Sequence, residues 1–435
     1  MFSAVSGQLD VGGEIFAYQN IAGEIEGVAK SINGFARKLA ELAPEEEAVA
    51  SQLLAIDFAA LVRDIGIANI EAYGASSIKV GDGYRNKIYA HVPGGRRGLL
   101  RMLGREAAPF EVATLAPADA DVVLERELNL TEIYRVGRDL VEQLKEPEAE
   151  RGWKEMMARK VADLGFTVGD MLQKLDTRVI LIARMSDTEK MEIPDAPFAL
   201  PKTEFYLSLD KMAWLADRLL AKLPPEAQEA LQEGEGFKLL NFPPMPPEAP
   251  VVQPVLRVDT ETGRVAIASS AAFLDECISG KGGLFASEKY KAAAAGLPTE
   301  GNGLAYVSPD VGRHLEALMR EAMQSAGGLE PDAVAMIADR IDEVIPFMRG
   351  SYASVSTNLP DGVLSVSNAP VSWKQATLAV PAMFLSAMFH AKSSSSSSME
   401  EIRSIEAIEE TEAIEETETI EEVEPVEEIE TIEVE

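Results

Sequence analysis

Along the chain, short apolar runs with strand-like alternation lead to an Asn or Asp, and then to longer stretches whose apolar residues recur at helical spacing. That order occurs four times. EIFAYQN (Glu14 to Asn20) precedes IAGEIEGVAKSINGFARKL, and DVVLERELN (Asp121 to Asn129) precedes LTEIYRVGRDLVEQL. EFYLSLD (Glu204 to Asp210) precedes KMAWLADRLLAKL, and GLAYVSPD (Gly303 to Asp310) precedes VGRHLEALMREAM. Asn20, Asn129, Asp210 and Asp310 hold the same place in each unit, where a side-chain oxygen would accept from the first free N–H groups of the helix. They are therefore expected to be N-caps and not catalytic carboxylates.

Strand patterns follow each helix, several of them broken by turn residues. Gly81-Asp82-Gly83, Thr260-Glu261-Thr262-Gly263 and Leu359-Pro360-Asp361-Gly362 each separate two alternating runs, which predicts three hairpins. The unit beginning at Asp121 continues into the single run TRVILIARMSD. The pattern predicts an α+β fold of four diverged β-α-β-β units, forming two antiparallel sheets with helices packed on one face. The proline-punctuated segment MEIPDAPFALPKTEF divides the chain into a first half, residues 1–200, and a second half, residues 201–390, before a tail at residues 391–435. A second proline-rich segment, Phe242 to Pro254, reads as a rigid connector, with a PxxP-type ligand as the alternative.

Charge changes this picture at one end only. The 435 residues carry 72 acidic and 40 basic side chains, a formal charge of −32. From Met399 to Glu435 there are 17 Glu and one Arg, a net of −16, so the remaining body also carries −16. Like charges at i and i+4, such as Glu406 with Glu410, oppose a helix there, and the tail reads as disordered, for solubility or for docking on a basic partner. The body offers no basic stripe for nucleic acid. The stretch ATLAVPAMFLSAMF (Ala376 to Phe389) is 14 residues long and holds Pro381, too short for a bilayer span of about 20 residues. It reads as a terminal strand or a docked helix, with a membrane-associated or truncated hydrophobic segment as the alternative.

Candidate chemistry is sparse. The loop PGGRRGLLRMLG (Pro93 to Gly104) is the best anion-binding candidate, with backbone N–H groups at Gly94, Gly95 and Gly98 and charge from Arg96, Arg97 and Arg101. It matches neither the phosphate-loop pattern nor the dinucleotide fingerprint, and a turn with solvated arginines is the plain alternative. SGKGG (Ser279 to Gly283) reads as a loop leading into a helix at Ser287 to Ala295. One cysteine, Cys277, and three histidines, His91, His314 and His390, imply neither a disulfide framework nor a metal centre. Cys277 lies on an apolar helical face and is expected to pack as a small hydrophobe. No nucleophile–base motif emerges, no catalytic residue is assigned and no cofactor is implied.

The phrases GLPTEGNGLAYVSPDVGRHLEAL, VLRVDTETGRVAIASSAAFLDECI, FEVATLAPADADVVLERELNLTEI and IEAYGASSIKVGDGYRNKIYAHVPGGRRGLLRMLG resemble a group of uncharacterised bacterial proteins, usually predicted to be exported. The resemblance covers roughly residues 10 to 375. It implies a periplasmic or envelope location and carries no assigned activity; MFSAVSGQLDVGGEIF departs from it in having no secretory signal pattern. The expected function is a non-enzymatic binding or scaffold protein of the bacterial envelope, with an unknown protein or small molecule as partner. The alternatives are a hydrolase or transferase with its site between the two halves, and a carrier of an apolar ligand.

Overall fold

The computed structural model describes residues 1–42, 56–161, 164–192, 199–242, 253–325 and 349–375. The apolar stretch Ala376 to Phe389, the acidic tail and most of the proline-rich connector lie outside them. Residues Met1–Lys374 belong to one compact unit.

Its fold is α+β, built on a large antiparallel sheet. The strands are β1 (Ile15–Asn20), β2 (Ala72–Val80), β3 (Gly83–His91), β4 (Ala108–Pro109), β5 (Val122–Asn129), β6 (Asp176–Glu192) and β7 (Ala199–Leu209). They continue with β8 (Leu231–Gly234), β9 (Phe237–Asn241), β10 (Val255–Asp259), β11 (Val265–Ala268), β12 (Glu300–Gly301), β13 (Gly303–Val307), β14 (Tyr352–Leu359) and β15 (Gly362–Ala369). Thirteen strands run in the order β1-β2-β3-β15-β14-β13-β5-β6-β7-β11-β10-β9-β8, and β4 pairs with β12 apart from them.

The three expected hairpins are present. Gly81 adopts φ +60° between β2 and β3, and Pro360-Asp361 joins β14 to β15 with Leu359 opposite Gly362. Between β10 and β11, Asp259 Oδ1 accepts from the N–H groups of Glu261 and Thr262, and Gly263 adopts φ +76°.

Two expectations about layering are corrected. One sheet replaces two, because β13 pairs with both β14 and β5 and so joins strands from distant parts of the chain. Position 200 falls within β7, which pairs with β6, so the expected halves share that sheet. Helices also cover both faces. Val255, Ala266 and Ala268 belong to the main core, with Tyr206, Ile180, Val123 and Tyr306, beneath the helix Ala271–Ile278 and the turn Val112–Leu115. Leu256 and Val258 point the other way, against Ala216 and Leu220 of the helix Ala213–Leu220. The strands VLRVD and VAIA are apolar on both faces, so each face needs a covering layer.

Cys277 packs in the main core as expected; burial pushes its thiol up to about 12, which keeps it protonated and inert. Among the described residues no helix is long and apolar enough to cross a membrane.

Candidate functional site

Polar residues lie at or next to the ends of the four central strands β13, β5, β6 and β7, among them Asn302, Ser308, Asp121, Asn129, Asp176 and Asp210, and a cleft opens at each end. Asp121 to Asn129 spans eight residue steps, roughly 27 Å along β5. The clefts are therefore separate sites.

The cleft at the Asn129 end is shaped by the arginine loop. Gly98 (φ +52°) and Gly66 (φ +93°) bring two backbone segments into direct contact: a Cβ on Gly98 would lie 2.2 Å from Asp64 O, and one on Gly66 2.0 Å from Arg97 O. The Leu99 N–H donates to Ile65 O at 2.8 Å, and the chain turns through Gly98–Leu103 against the helix Thr131–Leu144. Gly98→Ala should cost about 1–3 kcal/mol in backbone strain alone, read as a lower urea midpoint.

Within this loop Arg96 is a clamp. Its Nη1 donates to Gly104 O (2.7 Å) and its Nη2 to Arg105 O (2.8 Å), while Arg101 Nε donates to Arg96 O (3.1 Å). Burial and the neighbouring Arg101 charge push the Arg96 guanidinium below its ordinary pKa. Arg96 and Arg101 line a cleft of about 540 Å³ with Arg105, Glu106, Asn129 and Asn358. Asn358 Nδ2 donates to the carbonyls of Leu103 and Arg105, and Arg105 Nη2 donates to Asp176 Oδ2 at 2.6 Å. Three groups of the lining residues have no partner among the described residues: the terminal nitrogens of Arg101, the exposed Glu106 carboxylate and the buried Oδ1 of Asn129.

An ion-pair network supports this cleft from the sheet. Arg178 Nη1 donates to Glu111 (2.9 Å) and Glu125 (3.1 Å), and its Nη2 to Glu127 (2.8 Å). Arg264 pairs with Glu111 and with Asp210. Burial raises the Glu125 carboxyl, although the N–H groups of Val112 and Glu111 and the Arg178 charge pull the other way. Burial also acts upward on Glu127, but hydrogen bonds from Asn302, Arg178 and the Arg105 N–H outweigh it and hold that carboxyl low. Asn302 Nδ2 bonds Glu127 and the carbonyls of Arg105 and Glu106, tying the loop to β5.

At the opposite end lies a polar cleft of about 370 Å³ whose lining includes Asp121, Arg184, Glu204, Lys289, Asp310 and His314. Asp121 is buried; it accepts from Ser308 Oγ (2.5 Å) and from the Met185 N–H (2.8 Å). Burial alone would raise the Asp310 carboxyl, yet hydrogen bonds from Lys289 and Arg313 hold it below its usual range. His314 Nε2 lies 3.3 Å from Asp187 Oδ1.

The loop residues read from the sequence therefore separate. Arg96 and Arg101 share the cleft, while Arg97 is exposed and Gly94 and Gly95 lie outside the lining. The Gly95 N–H donates to Val92 O within its own turn and is not offered to a ligand.

The cap expectation is also corrected. Asn20 Oδ1 accepts from the Ala22 N–H, ahead of the helix that begins at Glu24. Asn129 faces the arginine cleft, Asp210 pairs with Arg264, and Asp310 sits inside the first turn of Pro309–Ser325, paired with Lys289 and Arg313. A short polar side chain at a strand end serves a cleft as readily as a helix, and the cap pattern concealed that. Arg105 and Asn358 carried no sequence signal beyond a turn and a strand end.

Among the described residues no group of three or more His, Cys, Asp or Glu is placed to hold a metal ion. No protein-family model, curated protein or solved structure matches the chain.

Proposed function

We propose that this is a non-enzymatic binding protein that holds an anionic group, a phosphate or carboxylate, in the cleft of Arg96, Arg101 and Arg105. The observation that carries this reading is the exposed Arg101 guanidinium in the cleft lining, whose terminal nitrogens have no partner among the described residues. A planar fork of N–H donors matches both anions in a bidentate way. Arg96 would contribute charge while its own donors hold the loop. Against a body of net −16, Arg96 and Arg101 outnumber Glu106 in the lining, Arg105 being paired with Asp176, and this local excess favours an anion there.

Titration calorimetry with inorganic phosphate and pyrophosphate tests this. Arg101→Ala should weaken binding at least about tenfold, a loss of ~1.4 kcal/mol, while Arg97→Ala leaves it unchanged. Equal binding by both variants, or none by the parent at about 10 mM, would sink the proposal.

A second reading, an enzyme, draws on the opposite cleft, where Asp121 and Arg184 from the first half of the chain meet Glu204, Lys289, Asp310 and His314 from the second. Asp121→Asn would then abolish turnover found in a substrate screen and leave phosphate binding intact.

We also read the sheet as four diverged strand-helix-hairpin units. The orders β1-β2-β3 and β13-β14-β15, each a first strand followed by its hairpin, support two of these units; the diverged pair are β5-β6, with one strand after its helix, and β7-β11-β10, whose hairpin attaches by its second strand.

A further inference from the structure

The two borders of the sheet are unlike. β8, at one border, has four residues, includes Glu233 and is flanked by Glu229 and Glu235. Brevity and charge of this kind keep a sheet edge from pairing with another chain. β1, at the other border, reads IFAYQN, with neither a charge nor a proline. The Ile21 N–H donates to Glu71 O, which places the backbone groups of residues 15, 17 and 19 on the β2 side. The N–H and C=O groups of Phe16, Tyr18 and Asn20 are therefore directed outward, and among the described residues no strand pairs with them.

An aromatic patch lies beside this open edge. The Phe2 ring makes edge contacts with Phe16 (centroids 6.5 Å apart) and Tyr18 (5.2 Å). Yet Phe2 is 55% exposed, Met1 49% and Phe16 38%. Such a cluster on the border strand, continuous with unpaired backbone donors and acceptors, is the composition of an interface.

We infer that β1 pairs antiparallel with β1 of a second copy of this chain, making a two-fold dimer with one sheet running through both subunits. The self-complementarity of the strand selects this occupant. With Tyr18 facing its own counterpart on the axis, Phe16 falls opposite Asn20, and the outward groups form about six main-chain hydrogen bonds. In that register Glu14 falls opposite Ala22, so no like charges meet across the seam. The Phe2, Phe16 and Tyr18 clusters of the two copies then form one covered patch.

Sedimentation velocity on the full chain, across a range of concentrations, tests the inference. Dimerisation should tighten with added salt, because each copy carries −32 and the seam itself holds no ion pair. Phe16→Pro removes an outward N–H without touching a bond to β2, so it should weaken dimerisation at least about a hundredfold with the circular dichroism spectrum unchanged. Phe16→Lys provides the same test should the proline variant misfold, because a charge on the border strand blocks pairing. A full chain that stays monomeric to about 100 μM would overturn the inference. So would a dimer equally stable in a folded Phe16→Pro or Phe16→Lys protein.

Discussion

Replacing Arg178 by methionine is expected to destabilise the protein by about 3–5 kcal/mol, among the largest losses of any single substitution. The side chain is largely buried and is, among the described residues, the only cation within hydrogen-bond reach of Glu125, itself 3% exposed. Methionine fills the volume but leaves three carboxylates, at Glu111, Glu125 and Glu127, without their shared partner. Adding Glu125→Gln should restore part of the loss, since the most buried charge is then gone. The pH dependence has a definite sign. Glu125 already has a raised carboxyl, and losing Arg178 raises it further, so the penalty is full above its folded pKa and relieved below it. The deficit in urea unfolding should therefore shrink as the pH is lowered through that folded pKa. A loss under about 1 kcal/mol, or one that grows on acidification, would mean that Arg178 is not the keystone of this network.

Phe273→Ala is the second large effect, at about 3–5 kcal/mol for a side chain that is 1% exposed in the main core. It carries a local reporter. Phe273 and Cys277 lie one turn apart on the same buried face of Ala271–Ile278, so a cavity at the ring should loosen the packing around the thiol. The Arg184 guanidinium stacks on the Phe273 ring, 4.9 Å from its centroid, and also binds Glu204 and Glu276 at the edge of the polar cleft. Thiol labelling under native conditions should be negligible in the parent and clearly faster in the variant. Equal labelling with a small stability loss would place Phe273 outside the cooperative core.

Much of the local structure was legible in the sequence. Gly81-Asp82 and Pro360-Asp361 have turn chemistry that hardly any other conformation uses, and alternating runs on both sides fix a hairpin. The buried face of Ala271–Ile278, with Cys277 on it, followed from helical spacing. What stayed hidden depends on partners far along the chain. Nothing in GLAYV specifies that β13 lies between β14 and β5, because any apolar strand edge is a permissible neighbour. The arginine cleft was half legible. The loop identified Arg96 and Arg101, but Asn129 and Asn358 reach it only through the strand order. Arg97, equally basic in sequence, projects away from the lining, a distinction of side-chain direction that composition does not carry.

The strand order has a consequence for synthesis on the ribosome. β3 is paired by β15, with Gly362 opposite His91, a separation of 271 residues. At roughly 5–20 residues per second, β3 and β5 wait for tens of seconds before β13, β14 and β15 can enter between them. Throughout that interval two strand edges, later the middle of the sheet, stand open to any other nascent strand. The chain thus depends during its manufacture on slow aggregation or a guardian, and a fragment ending before residue 303 would carry those edges permanently.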